Sequence, residues 1–441
     1  MRKFADDASV DEPLDRWGGW KVADLGKSGG FRVQRWRGGW WFVTPEGHPF
    51  TGVALAHANR YPRTSGPDDT TRERFGDDLE AYISDRGDWM RRAGFNAFSY
   101  TTPEHAGVDV PWVATLPLMP GFINVGPRGF DPFDPAWRRQ TDEIIARELP
   151  ALLRDPRVMG VSLSYPVMAS PHVVPQWMWA RLDCEPTNLL RELKALGSEA
   201  PGKGAYVAYL QARYGTLDEL ARSRGIGVTV PDFDALLDVD LGADESPWEL
   251  HADDADFYAR FWAEAVGHAV AAIRRLSANL LIFSPRVIGL RKFPDAWLDA
   301  WLRGVGDRVD AYVPELYGNQ PYRETVAQIG RLTGRPSFVA DGLRPCEFNY
   351  ISGPQADRTE AVLYREMFEA LLASPWFLGG TVCEYRPRIP EFAWYAEDPD
   401  VPRSGVRRAD YSERDPLFAT FQELHARKYR KRVALLEGES E

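Results

Sequence analysis

Eight short apolar runs, most of them followed by a stretch with helical periodicity, restrict the fold of this chain more than any other feature. The runs are 50–55, 95–100, 112–116, 158–163, 280–283, 311–315, 337–340 and a last one around Gly380. Each is short enough to be a strand buried on both faces. The stretches between them space their apolar residues as helices do. Leu79, Ile83 and Met90 recur within 78–92, and Trp137, Ile144, Ile145, Leu149 and Leu152 recur after Pro135. Further helical stretches are 256–276, 295–303, 322–332 and 359–372. Strand–helix alternation requires a parallel sheet with its helices outside. The expected fold class is α/β, a (β/α)8 TIM barrel. A doubly wound sheet would show a glycine-rich phosphate turn after the first strand, and Val53-Ala54-Leu55-Ala56-His57 has none.

The flanks are of a different kind. Residues 31–36 alternate, Gly38-Gly39 turns the chain, and 40–43 returns, which is a β-hairpin pattern. Residues 1–45 are expected to be a lead-in and hairpin packed on the barrel. The barrel then spans 46–430, with a long helical insertion, 167–255, after the fourth strand. The tail 431–441 is charged. The basic run Arg427, Lys428, Arg430, Lys431 and Arg432 and the acids Glu437, Glu439 and Glu441 read as a solvated helix end.

A chain of 441 residues, 44% hydrophobic, can bury a large core. Its net charge of -11 is interspersed, without the basic tract a nucleic-acid partner needs. No run approaches the ~20 apolar residues that span a membrane. Residues 1–20 carry acids and no apolar run, unlike a signal peptide. Cys184, Cys346 and Cys383 are odd in number and lack metal-type spacing. A cytoplasmic protein is expected. No histidine pair or carboxylate cluster has metal-ligand spacing, and there is no nucleophile elbow, so neither metal nor cofactor is expected. Oligomeric state leaves no trace in the sequence. The 16 tryptophans suit stacking on sugar rings, with core packing as the alternative.

Three of the late strands run into acids. Asp341 follows 337–340 and precedes Gly342, Glu315 ends 312–315, and Glu384 ends 381–384. Carboxyl ends of barrel strands share one mouth. Hydrolysis of a glycosidic bond uses two carboxyl groups, one protonated and one ionised. Two acids side by side resist joint ionisation, which keeps one of them protonated. The catalytic candidates are therefore Asp341, Glu315 and Glu384. Ion pairs with Arg286, Arg344 or Arg386 are the structural alternative. Arg286, at the end of strand five, suits an anionic or hydroxyl-rich group. His57 and Asn59 follow strand one. His172 and Trp177 lie on the loop after strand four, as lid or subsite wall, and Glu104 after strand two is a reserve acid.

The segment from Trp40 through Thr44-Pro45-Glu46-Gly47-His48-Pro49 to Phe50 resembles the start of the barrel in agarase-type glycoside hydrolases, the family 50 β-agarases. Tyr209 to Leu220 is similar to the helix after strand four in those enzymes and in family 42 β-galactosidases. Gly334-Arg335-Pro336 before strand seven also fits. The likeness runs from about Trp40 to Tyr385. It implies a retaining clan A barrel, with an Asn-Glu pair ending strand four as acid/base and a Glu ending strand seven as nucleophile. Tyr317 matches the family's strand-six tyrosine, which binds the nucleophile. This chain departs from the pattern: strand four ends Ser164-Tyr165-Pro166, and strand seven offers Asp341. Tyr165 stands at the acid's place and reads as a sugar-binding residue. The functional expectation is a glycoside hydrolase acting on a glycoside or oligosaccharide, with a non-standard carboxylate set and a carbohydrate as its partner. A carbohydrate-binding pseudoenzyme, or another reaction such as elimination on a sugar or natural-product glycoside, stands beside it.

Overall fold

The computed structural model describes residues 13–56, 69–99, 108–119, 130–164, 189–224, 230–243, 251–288, 295–316, 322–340, 342–343, 355–383, 385, 405–408 and 410–438. Regular structure starts with a small antiparallel sheet of β1 (Arg32–Trp36), β2 (Gly39–Val43) and β3 (Pro49–Phe50). β1 and β2 pair from Arg32↔Val43 to Trp36↔Gly39, leaving Arg37 and Gly38 as the turn. Both turn residues have positive φ, 45° and 73°. A two-residue type I′ turn needs that backbone, and its twist matches the strands. The turn falls one residue earlier than the Gly38-Gly39 pair suggested. Gly39 belongs to β2, where an added Cβ would meet Leu436 at 2.8 Å.

The remaining strands are β4 (Gly52–Ala56), β5 (Ala97–Ser99), β6 (Trp112–Thr115), β7 (Val158–Ser162), β8 (Leu281–Phe283), β9 (Val287–Ile288), β10 (Pro314–Glu315), β11 (Ser337–Val339) and β12 (Phe377–Val382). Seven of them form one parallel sheet in the order β11-β12-β4-β5-β6-β7-β8. Parallel neighbours need crossovers, and helices supply them. Leu79–Arg92 follows β4, Pro135–Arg154 follows β6 and Ala252–Leu276 leads to β8. Asp295–Val305, Tyr322–Thr333 and Ala356–Leu372 complete the series. Among the described residues no helix separates β5 from β6. The helix ends follow local chemistry. Asp78 caps the first of these helices by accepting from Ala81 N, and Gly94 leaves it at φ 76°.

The sixth run of the pattern does not join the sheet as a regular strand. It contributes only Pro314–Glu315, paired with β9. The residues before it, Ala311 and Tyr312, make only single bridges, to Phe283 and to Ser337. The run nevertheless bonds to both edges of the sheet. Asp310 N donates to Ile282 O at 2.8 Å and Ser284 N to Ala311 O at 2.9 Å, on the β8 side. Tyr312 N donates to Pro336 O, and Phe338 N to Tyr312 O, both at 2.8 Å, on the β11 side.

Two apolar layers flank the sheet. One buried cluster takes Ala54, Ala97, Val113, Met159, Phe283 and Phe338 from successive strands, with Ala311, Val313 and Leu378. Phe42 and Phe50 of the hairpin pack onto it, with Phe42 ring centroids 6.1 Å from Phe283 and 5.8 Å from Phe338. The larger cluster lies between strands and helices and holds Trp89, Trp262, Trp297 and Trp301. A fully buried large side chain contributes about 1.5–3 kcal/mol, so the described tryptophans serve the core. All of them are buried or half-buried. β12 crosses β4 at its tightest at Gly379, φ 139°, where a Cβ would sit 2.1 Å from Gly52 O.

The charged helix end expected in solvent is half buried instead: Lys428 and Arg432 are buried, while Arg427, Arg430 and Glu437 are exposed. Lys428–Glu437 is a helix whose Tyr429 and Arg432 are buried against the hairpin. Tyr429 stacks on Trp20 at 5.8 Å, and the Arg432 guanidinium lies 4.6 Å from the Trp41 ring centroid. Desolvation lowers the Arg432 pKa to about 9; the ring's quadrupole offsets part of that cost. The acids in the first turn of the helix Ala252–Leu276, Asp253 and Asp254, turn inward. Asp254 is buried against Lys194, with Arg224 Nη2 at 2.5 Å and Tyr206 Oη at 2.8 Å. These bonds tie the insertion's helices, Leu189–Ala195, Pro201–Tyr214 and Leu217–Arg224, to Ala252–Leu276.

Candidate functional site

All strands of a parallel sheet point the same way, so their carboxyl ends lie on one side. β5, β6 and β7 end there in small hydroxyl residues, Ser99, Thr115 and Ser162. Thr115 pairs with Ser162, and Ser162 with Phe283. Ser162 Oγ lies 3.1 Å from the Ser284 carbonyl and 3.3 Å from that of Ser164, which ties the end of β7 to the end of β8. Ser284 Oγ in turn accepts from Val313 N at 3.1 Å. Ser164 Oγ and Thr381 Oγ1 are buried with no hydrogen-bond partner. Such groups are costly to leave unmet.

Arg286 is placed two residues beyond Ser284, where the chain bends at Pro285 before β9. Its side chain is 1% exposed. Nη2 donates to Thr115 Oγ1 at 3.0 Å. Because β7 lies between β6 and β8, the guanidinium crosses the end of β7. Glu315 ends β10 and is fully buried. Its register partner is Ile288, two residues past Arg286. The fold thus brings two of the expected residues, Arg286 and Glu315, to one short parallel pair at the carboxyl end.

The other expected residues, Asp341, Glu384, Tyr165, Tyr317, His57, Asn59, His172 and Trp177, and the reserve acid Glu104, lie outside the described residues. The backbone next to several of them is well anchored. Ala340 N donates to Pro314 O at 2.9 Å and Leu343 N to Thr381 O at 3.0 Å. Gly342, φ 91°, accepts from Tyr322 Oη at 2.7 Å. Tyr385 is held by Arg407 Nη1 at 2.5 Å and packs edge-on against Trp89. Burial pushes the Tyr385 hydroxyl pKa upward, so it stays protonated.

Thr115, Ser162, Ser164, Ser284 and Thr381 escaped the sequence reading. The available signal was a hydroxyl recurring at strand ends, but single serines and threonines are too common to stand out. Among the described residues, one group lies close enough to hold a metal ion: Asp15, Glu46 and His48. Its atoms are already engaged in structure. Asp15 Oδ1 accepts from Trp17 N and Gly19 N, both at 2.8 Å. Oδ2 accepts from Thr44 Oγ1 at 2.6 Å and lies 3.1 Å from His48 Nδ1, while Glu46 pairs with Arg16. The group staples the lead-in to the turn at 44–48.

No protein-family model matches the chain, and no curated protein matches it in sequence. Solved structures do share its fold. The fold is that of glycoside hydrolase-like α/β proteins. An exo-β-agarase superposes with a TM-score of 0.72 at 16% identity, covering 97% of this chain and 68% of that chain. BpGH50 superposes at 0.68 and 12% identity, covering 100% of this chain and 90% of that one. A β-galactosidase from the psychrophilic Marinomonas ef1 reaches 0.50 at 12% identity, covering 85% and 59%. The agarase likeness carried by Trp40 to Phe50 therefore extends to the whole fold. No described helix is long and apolar enough to cross a membrane.

Proposed function

We propose that this chain is a glycoside hydrolase built on a closed (β/α)8 barrel, acting on a glycoside or oligosaccharide. The observation that carries the reading is Glu315: a fully buried carboxylate at the carboxyl end of a strand, in a fold shared with agarases. Closure of the barrel is supported by the hydrogen bonds from 310–314 to both β8 and β11. The lead-in is 1–45, the barrel 46–430 with the insertion 167–255, and the tail 431–441.

In this reading Asp341 is the central carboxylate, with Glu315 and Glu384 on the strands either side. One carboxyl group protonates the leaving oxygen, and its partner acts on the anomeric side as nucleophile or as base for water. Tyr165, Tyr317, His57, Asn59, His172 and Trp177 contact the sugar, with Arg286 beside them. Release of reducing sugar from a panel of oligosaccharides and aryl glycosides tests the reading. Asp341→Asn abolishes release while the melting temperature holds. Full activity in that variant would end the assignment.

A second reading, carbohydrate binding without turnover, is favoured by one observation. β7 runs into Ser162, Leu163 and Ser164, where the agarase pattern would place its Asn-Glu pair. Sugar binding by calorimetry with no product over a long incubation would select it.

A further inference from the structure

Far from the carboxyl ends of the strands, the last helix buries a charge against the hairpin. We infer that Arg432 holds a small monovalent anion, chloride or a related halide, between the helix Lys428–Glu437 and the hairpin of β1 and β2.

Arg432 is fully buried. Nη2 donates to Trp40 O at 2.8 Å, while Nε and Nη1 are buried with no hydrogen-bond partner. Among the described residues no acid pairs with this guanidinium. Glu437, the one acid of its own helix, is paired with Arg37 at 3.2 Å. Glu369, on the neighbouring helix Ala356–Leu372, is paired with Lys431 at 2.7 Å. Burial lowers the Arg432 pKa only to about 9, so the group stays cationic at neutral pH. The ring centroids of Trp41 and Phe377 lie 4.6 and 5.8 Å from the guanidinium carbon. Ring faces offset part of the desolvation, but each buried N–H without an acceptor still carries its own cost. A buried charge is ordinarily paired. A halide supplies both missing parts: one negative charge, and an acceptor with no directional demand. A divalent phosphate or sulfate would bring a second charge into the same apolar surroundings, at a higher desolvation cost. The chain's net charge of -11 does not gather anions at long range, so occupancy depends on this contact alone. The ion joins the hairpin at Trp40 and Trp41, the start of β12 at Phe377, and the last helix.

Thermal unfolding of the full chain, followed as sodium chloride replaces sodium gluconate at constant ionic strength, tests the site; gluconate is too large for it. The midpoint is expected to rise along a saturating curve, by about 3 °C once chloride exceeds its Kd ~100-fold. Sodium bromide should act in the same way. In Arg432→Met the midpoint should no longer depend on the anion. Should that variant not fold, crystals of the unaltered chain grown in bromide decide. An anomalous peak is expected within about 3.5 Å of Arg432 Nε or Nη1. A midpoint indifferent to halide in the unaltered chain, or a halide response that survives Arg432→Met, overturns the inference. So does the absence of a peak. A peak without a halide-dependent midpoint marks an adventitious ion only and overturns it as well. Each outcome reads stability or position and not turnover, so the hydrolase reading stands or falls separately.

Discussion

Tyr364 Oη and His425 Nε2 lie 2.8 Å apart in a fully buried contact between two helices, and His425 Nδ1 lies 2.7 Å from Ala93 O. A carbonyl only accepts, so Nδ1 carries the proton and Nε2 accepts from the tyrosine. Both ring nitrogens are used by the neutral form. Burial, and then Lys428 nearby, lower the His425 pKa to about 3.

That arrangement makes the fold acid-sensitive. The folded pKa lies below the unfolded value of ~6.5, so the unfolded chain binds the extra proton. Stability is fully present above that value and falls as pH drops towards 3, with a limiting slope of about 1.4 kcal/mol per pH unit. Urea unfolding between pH 7 and 4 should show the slope, and His425→Gln should flatten it. Equal slopes in both proteins would remove His425 as the cause.

Asp254 is the second stability prediction. Burial alone would raise its pKa, but Lys194 and Arg224 hold it below the usual carboxylate range. Asp254→Ala deprives two buried cations of their shared carboxylate and should cost roughly 3–5 kcal/mol. The insertion 189–224 should become the first site of proteolysis. A loss under 1 kcal/mol with unchanged cleavage would contradict the network's role.

Gly379→Ala tests the closest strand crossing. The new methyl group would collide with Gly52 O and demand φ 139° of an alanine. Destabilisation of about 3 kcal/mol or failure to fold is expected. Gly29→Ala, at a position with open space around it, is the matched control.

Glu315→Gln separates chemistry from architecture. Under the hydrolase reading kcat falls by about 10²–10⁴. Glutamine keeps the shape of the side chain and removes only its charge, so the melting temperature is measured beside kcat. A loss of stability with unchanged kcat would make Glu315 a structural residue.

Much of the fold could be read along the chain. Helix ends at Asp78 and Gly94, the hairpin around Gly38 and the strands 158–162 and 337–339 all follow from local periodicity and turn chemistry. The irregularity of the sixth strand was not legible, because whether Ala311 and Tyr312 pair as single bridges or in a ladder depends on the strands packed beside them. Of the candidate site, Arg286 and Glu315 were found from their position after a strand. Their neighbours Thr115 and Ser164 were not, since a hydroxyl becomes informative only when a specific partner stands over it.

The sequence by itself determined the alternation of strand and helix, because hydrophobic period is a property of neighbouring residues. Tertiary structure alone decided which charges are buried and with whom. Arg286 meets Thr115 across 171 positions, and Tyr429 in the last helix donates to Gly18 across 411. Charge pairing depends on distance in space, and a chain read in order holds no record of which of its distant parts the packing brings together.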